Sequence, residues 1–324
     1  MIERFPRSNP GLWLGVDGGG TKTDFQLVSS DGRVLGEATL GGINRNYCSE
    51  TDVVAMLEEG RNRVYSAAGV DTRIAPGGTI MCMAGFGAEF FERFKDLSGF
   101  GEVFSAGDHL PLLELCGGDE TCLIVHSGTG SFVSGRFATD PAIYWGGYGY
   151  ILIDPGSGAD IGRRAVRRTF EECSGVAPKS DFGERIREFY GFRDYDHVVE
   201  VVYGSASAAR TMAECVRLVV RMLEEGDQLA VGIVREALGE LAALAVRVAG
   251  EFSDEPCRRG LTGGVLTAPS VAELMSRELE ERGLPGPWIP VRERPIEGVR
   301  RMLVKWAHGL HPGRTLCQRT EVPA

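Results

Sequence analysis

Glycine in this chain gathers in short clusters that follow apolar runs, and those clusters are where phosphate could be held. In Asp17-Gly18-Gly19-Gly20-Thr21-Lys22-Thr23, three residues without a Cβ let backbone N–H groups close around an anion, and Thr21 and Lys22 add side-chain donors. Ser127-Gly128-Thr129-Gly130 offers a second such turn, and Gly263-Gly264 a third place where a ligand could lie against bare backbone. Neither nucleotide motif that such clusters suggest is present. The Walker A spacing is not met, and the Rossmann fingerprint lacks its third glycine and following helix. Asp108, in Phe104-Ser105-Ala106-Gly107-Asp108-His109, is a carboxylate that could accept a hydroxyl proton. Asp is also a preferred helix N-cap, and the residues taken alone favour the cap. Asp17 has a similar alternative as an Asx-type turn residue.

The elements that would position these groups follow from hydrophobic periodicity and turn signals. Residues 12–16 and 24–29 read as strands flanking the first glycine cluster, which makes it a hairpin. Residues 34–40 form a third strand, 53–68 a helix, 78–84 a buried strand, 88–97 a helix and 102–106 a strand, with a helix opening near Asp108. The hairpin pattern then returns: 121–126, the second glycine turn, and 131–137. A helix-rich stretch, 158–252, includes a long amphipathic helix over 228–249. Residues 259–262 read as a strand ending at Gly263-Gly264, followed by helices over 270–282 and 295–308. These elements predict two α/β lobes, 1–117 and 118–324, with both hairpins facing a nucleotide cleft between them. The helix at about 295–308 is free to pack back on the first lobe.

Taken in order, Asp17-Gly-Gly-Gly-Thr-Lys-Thr23, Gly128-Thr-Gly-Ser131, Gly146-Gly-Tyr-Gly149, Asp154-Pro-Gly-Ser-Gly158 and Leu261-Thr-Gly-Gly264 resemble the signatures of the N-acetylglucosamine kinase branch of the BadF/BadG/BcrA/BcrD ATPase family. The resemblance spans about residues 12–308. It implies a two-lobed actin-like (ribonuclease H-like) ATPase fold, ATP and Mg2+ as cofactors, a small amino sugar as the acceptor and a homodimer. It further implies that Asp17 organises magnesium and that Gly18, Gly19, Gly20, Thr21 and Lys22 hold the β- and γ-phosphates. Thr129 and Gly130 would face the phosphates from the other lobe, and Gly263 and Gly264 would lie against adenosine. At Asp108 the resemblance reverses the balance and makes this residue the catalytic base, a role that can coexist with capping. Asn44, with Asn46 as its competitor, Gly147, Tyr148, Gly149 and Asp154 would contact the sugar. The chain departs from the family at Pro155, where Glu is usual, so one backbone donor and one carboxylate are missing beside Asp154.

Bulk properties narrow the remaining classes. At 324 residues with 43% hydrophobic and 25% charged, the chain reads as a soluble globular protein with room for two cores. A net charge of −10 argues against a nucleic-acid binder, and no apolar run reaches membrane-spanning length. Residues 1–10 contain no apolar signal-peptide core, which predicts a cytoplasmic protein. The Arg163, Arg164, Arg167 and Arg168 cluster reads as a solvated helix face. Eight cysteines without a C-x-x-C pair argue against a zinc site or a thioredoxin-like motif. Two other classes stay open: an ATPase that activates a reductase or dehydratase through an iron–sulfur cluster, with Cys122 and Cys173 as its nearest ligands, and a nucleotide-binding regulator without kinase activity.

Overall fold

The computed structural model describes residues 8–43, 48–85, 97–138, 142–152, 154–205, 207–252 and 257–311. Asn44, Asn46 and most of the helix expected over 88–97 lie outside them. Three consecutive strands, β1 (Ser8–Gly18), β2 (Lys22–Ser29) and β3 (Val34–Gly41), form an antiparallel meander. Strands β4 (Ala75–Met83) and β5 (Glu102–Ala106) add in parallel on the other side of β1, giving the order β3-β2-β1-β4-β5.

One face of this sheet is covered by helix α1 (Glu50–Ala68), which starts at a Ser49–Asp52 capping box and ends at left-handed Gly69. Its buried Val53, Leu57 and Val64 recur at helical spacing and join Leu14, Val16, Phe25, Leu27, Met81 and Met83 in one core. The opposite face meets α2 (His109–Gly117) and α11 (Pro295–Ala307), the latter burying Ile296, Val299, Leu303 and Trp306. Gly15 and Gly78 make room for that helix: a Cβ on Gly15 would touch Val299, and one on Gly78 would sit 2.9 Å from both Trp13 and Trp306.

The second sheet has the order β10-β9-β6-β7-β8, built from β6 (Cys122–Ser127), β7 (Ser131–Arg136), β8 (Ile143–Gly146), β9 (Arg258–Thr262) and β10 (Trp288–Pro290). Around it are α3 (Gly158–Cys173), α4 (Asp181–Tyr190), α5 (Tyr195–Tyr203), α6 (Ala208–Glu214), α7 (Val216–Glu224), α8 (Gln228–Ala249), α9 (Gly263–Leu266) and α10 (Pro269–Glu281). The α3 arginines pair with Asp160, Glu240, Glu171 and Glu172, so their charge is neutralised along the helix surface. Among the described residues no helix is long and apolar enough to cross a membrane.

The chain divides into two compact units, one of Met1–Cys122, Arg136–Tyr144 and Glu293–Ala324, the other of Leu123–Gly135 and Trp145–Arg292. A single cut at 117/118 therefore does not describe the division. The exchange of segments follows from packing: α11 has its apolar stripe matched to β1, not to the sheet that precedes it in the chain.

Candidate active site

In the first unit the site residues cluster where parallel strands end. Register across the sheet aligns Thr39, Asp24, Asp17, Cys82 and Ala106 in one row, and Asp108 follows Ala106 by two residues. Residues paired in register point to the same face, so this row carries three polar side chains together near the C-terminal ends of β1, β4 and β5. Such ends are the usual ligand edge of α/β sheets.

Asp17 and Asp24 stand opposite one another, yet their surroundings differ. Asp24 is buried and ion-paired: Lys22 Nζ lies 2.5 Å from its Oδ2, and the Thr39 hydroxyl donates to its Oδ1 at 2.6 Å. Asp17 is pushed up to about 7 by burial and then by the Asp108 and Asp24 carboxylates, while Lys22 opposes the rise only weakly. Asp108 is pushed up to about 6, again by burial. Its position before α2 is that of an N-cap, but its backbone is helical and its side chain makes no cap hydrogen bond. The cap reading is thereby overturned, and the carboxylate is left available for other work. Cys82 lies buried between these acids, and burial, Asp17 and Asp108 all raise its thiol well above the ordinary range. His109, next in the chain, is buried, packs on Tyr144 and is held neutral by burial at about 3.

The Gly18–Lys22 turn is fixed by its carbonyls. Gly18 O accepts from Ala84, Gly19 O from Ile43, and Gly19 N–H donates to Lys22 O. Gly42 packs so closely that a Cβ on it would lie 2.3 Å from Gly20 O. Held in this way, the turn can direct the amides of Gly20 and Thr21 outward.

In the second unit the turn Gly128–Gly130 is bound to the start of α3. Gly158 N–H donates to Gly128 O, Ala159 N–H to Thr129 O, Ser131 Oγ to Pro155 O and Ser127 Oγ to Gly156 O. Asp154 is only 8% exposed; its Oδ1 accepts from Gly149 N–H at 3.2 Å, and a Cβ on Gly130 would sit 2.9 Å from its Oδ2. Burial raises Asp154 to about 6, against the amides of Gly149, Tyr148 and Ser131, which favour its anion. Asp154 thus joins the phosphate turn to the Gly146–Gly149 loop, whose Gly146, Gly147 and Gly149 all adopt positive φ and whose Tyr148 is exposed. Gly263, also at positive φ, approaches Ser127 so closely that a Cβ would lie 2.2 Å from its carbonyl oxygen. Only glycine fits there.

Cys122 is wholly buried, donates to Leu113 O and shares a thiol–thiol hydrogen bond with Cys116, both being free thiols, whereas Cys173 is exposed. A buried thiol so engaged is poorly placed to bind a cluster shared with another subunit.

Two sheets of this topology, each carrying a glycine turn at a strand end, define the actin-like α/β class of ATPase fold. A structure described as an N-acetylglucosamine kinase from Chromobacterium violaceum matches with a TM-score of 0.70 at 25% identity, covering 90% of this chain and 98% of that one. A ROK family glucokinase from Streptomyces griseus, solved with glucose and AMPPNP, shares the fold at a TM-score of 0.56 and 15% identity, covering 92% and 99% respectively. The chain belongs to the BadF/BadG/BcrA/BcrD ATPase family, whose model matches residues 14–298. Among curated relatives, an N-acetylmuramic acid/N-acetylglucosamine kinase from Clostridium acetobutylicum is 27% identical over 237 residues, or 70% of this chain and 76% of that protein.

Proposed function

We infer that this ATPase transfers the γ-phosphoryl group of ATP to a hydroxyl of an amino sugar of the N-acetylglucosamine or glucosamine type. One observation carries the reading: Asp108, at the strand edge beside Asp17, keeps its carboxylate free of the helix it precedes. At about 6 it is largely ionised near neutral pH, and a carboxylate there can accept the acceptor hydroxyl's proton as the oxygen attacks phosphorus. The kinase names of the relatives support the same reaction class.

Magnesium fits the residues present. The described residues contain no group of three or more His, Cys, Asp or Glu that could cage a metal, but Asp17 and Asp108 form a carboxylate pair short of positive charge. Mg2+ usually takes one or two carboxylates and completes its shell with phosphate and water. Asp17 would hold it, and when bound it would neutralise charge on the phosphates. Gly18–Lys22 and, on the same reading, Thr129–Gly130 orient the phosphates, while Gly263–Gly264 receive the adenosine end. Gly147, Tyr148 and Gly149 present the sugar-facing loop, and Asp154 sets its conformation from behind.

Coupled ADP release, screened against amino sugars, plain hexoses, muramic acid and no acceptor, tests the reading. Acceptor-independent release alone would remove it.

A further inference from the structure

His126 belongs to none of the roles assigned above, yet it sits at the centre of the second unit's nucleotide-binding residues. It is the last residue but one of β6, and the strand order places β9 on one side and β7 on the other. Its ring makes a specific contact with each. Nδ1 lies 3.0 Å from Thr262 Oγ1 at the end of β9, and the imidazole stacks on Phe132 of β7 with centroids 4.5 Å apart and planes at 14°. Each of these three strands opens directly into or out of a glycine turn. β6 and β7 flank Gly128–Gly130, and β9 leads into Gly263 and Gly264.

The hydrogen-bond network assigns the tautomer. Thr262 Oγ1 also lies 3.3 Å from Val125 O, a group that can only accept, so the hydroxyl donates there and accepts from His126 Nδ1–H. Burial holds the imidazole neutral, with its proton lost at about 4, which leaves Nε2 as a bare lone pair. That nitrogen lies against the phosphate turn: a Cβ on Gly128 would be 3.2 Å from it. The two turns themselves touch through backbone, since a Cβ on Gly263 would be 2.9 Å from Gly128 N. The pairing of β9 beside β6 sets the spacing of the strands, and that pairing gives way to the two glycine turns at their ends. The ring adds a side-chain link at that edge.

We propose that His126 is a positioning residue for ATP, a neutral strut that holds the phosphate turn at Gly128–Gly130 and the adenosine turn at Gly263–Gly264 in fixed relation through Thr262 and Phe132. The proposal rests on the assignment of those two turns to nucleotide. It acts on ATP affinity and not on the chemical step, because His126 touches neither Asp108 nor the acceptor loop in any contact described above.

The test uses the full chain and ATP itself. His126→Phe keeps a ring to stack on Phe132 but loses the donor to Thr262; Thr262→Val loses the same bond from the other side, together with the hydroxyl's bond to Val125 O, with little change in shape. Each should raise the calorimetric Kd for ATP, measured without acceptor, by about 3- to 10-fold, the range expected for one lost neutral hydrogen bond. The KM for ATP should rise in step, while kcat and the acceptor KM stay within about 2-fold. The double variant should bind no more weakly than Thr262→Val alone, because that change already removes the bond that His126→Phe breaks. His126→Asn, which can place an amide donor near the Nδ1 position, should recover most of the affinity. Unchanged ATP affinity in His126→Phe, additive losses in the double variant, or a loss in the Asn variant as large as in the Phe variant would each overturn the role of His126. Failure of the unmodified chain to bind ATP would instead remove the nucleotide assignment on which the proposal stands.

Discussion

Asp17 and Asp24 occupy directly opposed positions in the β1–β2 ladder, and the fold gives the ammonium of Lys22 to Asp24. Asp17 is left without that cation, and burial first, then the Asp108 and Asp24 carboxylates, favour its protonated form. The fold holds the Asp17 proton up to about 7, against 3.8 for an unconstrained Asp. Because the folded state binds this proton more tightly than the unfolded chain does, the stability it contributes is complete below about pH 4 and is lost as pH rises through about 7. Asp17→Asn removes that titration. Without nucleotide or magnesium, the variant should be more stable than the parent at about pH 8, by on the order of 1 to 3 kcal/mol, and no more stable at about pH 4. Equal melting shifts at both pH values would contradict the pairing.

Lys22 has two separable tasks, neutralising buried Asp24 and facing phosphate. Lys22→Met should cost about 1 to 2 kcal/mol of stability, discounted from the buried-pair range because half of the Lys22 side chain is in solvent. Adding Asp24→Asn should return the stability. ATP affinity, measured by calorimetry, should stay low in both variants; recovery in the double variant would leave Lys22 with a structural task alone.

Asp108 makes no cap bond and burial raises its carboxyl to about 6, so Asp108→Asn should not lower the melting temperature near neutral pH. Its kcat in coupled ADP release should fall by about 10²- to 10⁴-fold, with ATP still binding. In the parent enzyme, kcat/KM should fall about tenfold per pH unit below about 6, where the base becomes protonated. A variant with near-normal kcat would move the base elsewhere, and Asp154 is the next carboxylate to examine.

Gly130→Val should weaken ATP binding more than Gly19→Val. At Gly130 a Cβ meets Asp154 Oδ2 at 2.9 Å, whereas at Gly19 the nearest atom is Lys22 O at 3.4 Å. Calorimetry on the two variants decides, and the reverse order would show that the Asp154 contact does not set the turn.

Pro155 is buried, and its carbonyl receives Ser131 Oγ. Pro155→Glu therefore introduces an acid into an enclosed position, and the melting temperature should drop by several degrees while the ranking of acceptor sugars changes. An unchanged ranking would show that this position does not shape specificity.

What the sequence made legible is local. Glycine clusters after apolar runs located the turns, and the bounds of α8 coincide with the expected 228–249 because its amphipathic period is long and unbroken. β8 and β10 were not anticipated; they span four and three residues, too few for a period to show. The Thr39–Asp24–Asp17–Cys82 row depends on the register of three consecutive strands and on the pairing of β1 with the distant β4, which no single strand encodes. The same holds for His126 with Thr262. A histidine in an apolar strand signals nothing until its neighbours are known. Asp24 did carry one hint, a charge within a buried strand immediately after the glycine motif.

The seating of α11 on β1 has a consequence for synthesis. Trp306 rests on Trp13 with ring centroids 5.3 Å apart, Glu297 accepts from Gln26, and Arg300 donates to Gly32 O, so the last described helix completes a core begun by the first strands. On the ribosome, residues 8–122 emerge before the helix that covers the β1 face, and Gly15 then lacks the Val299, Leu303 and Ile296 side chains it faces. The unit around α8 can consolidate while that face waits. The nascent chain must carry an exposed apolar sheet through most of its translation, which makes early truncation products of this gene the natural clients of chaperones.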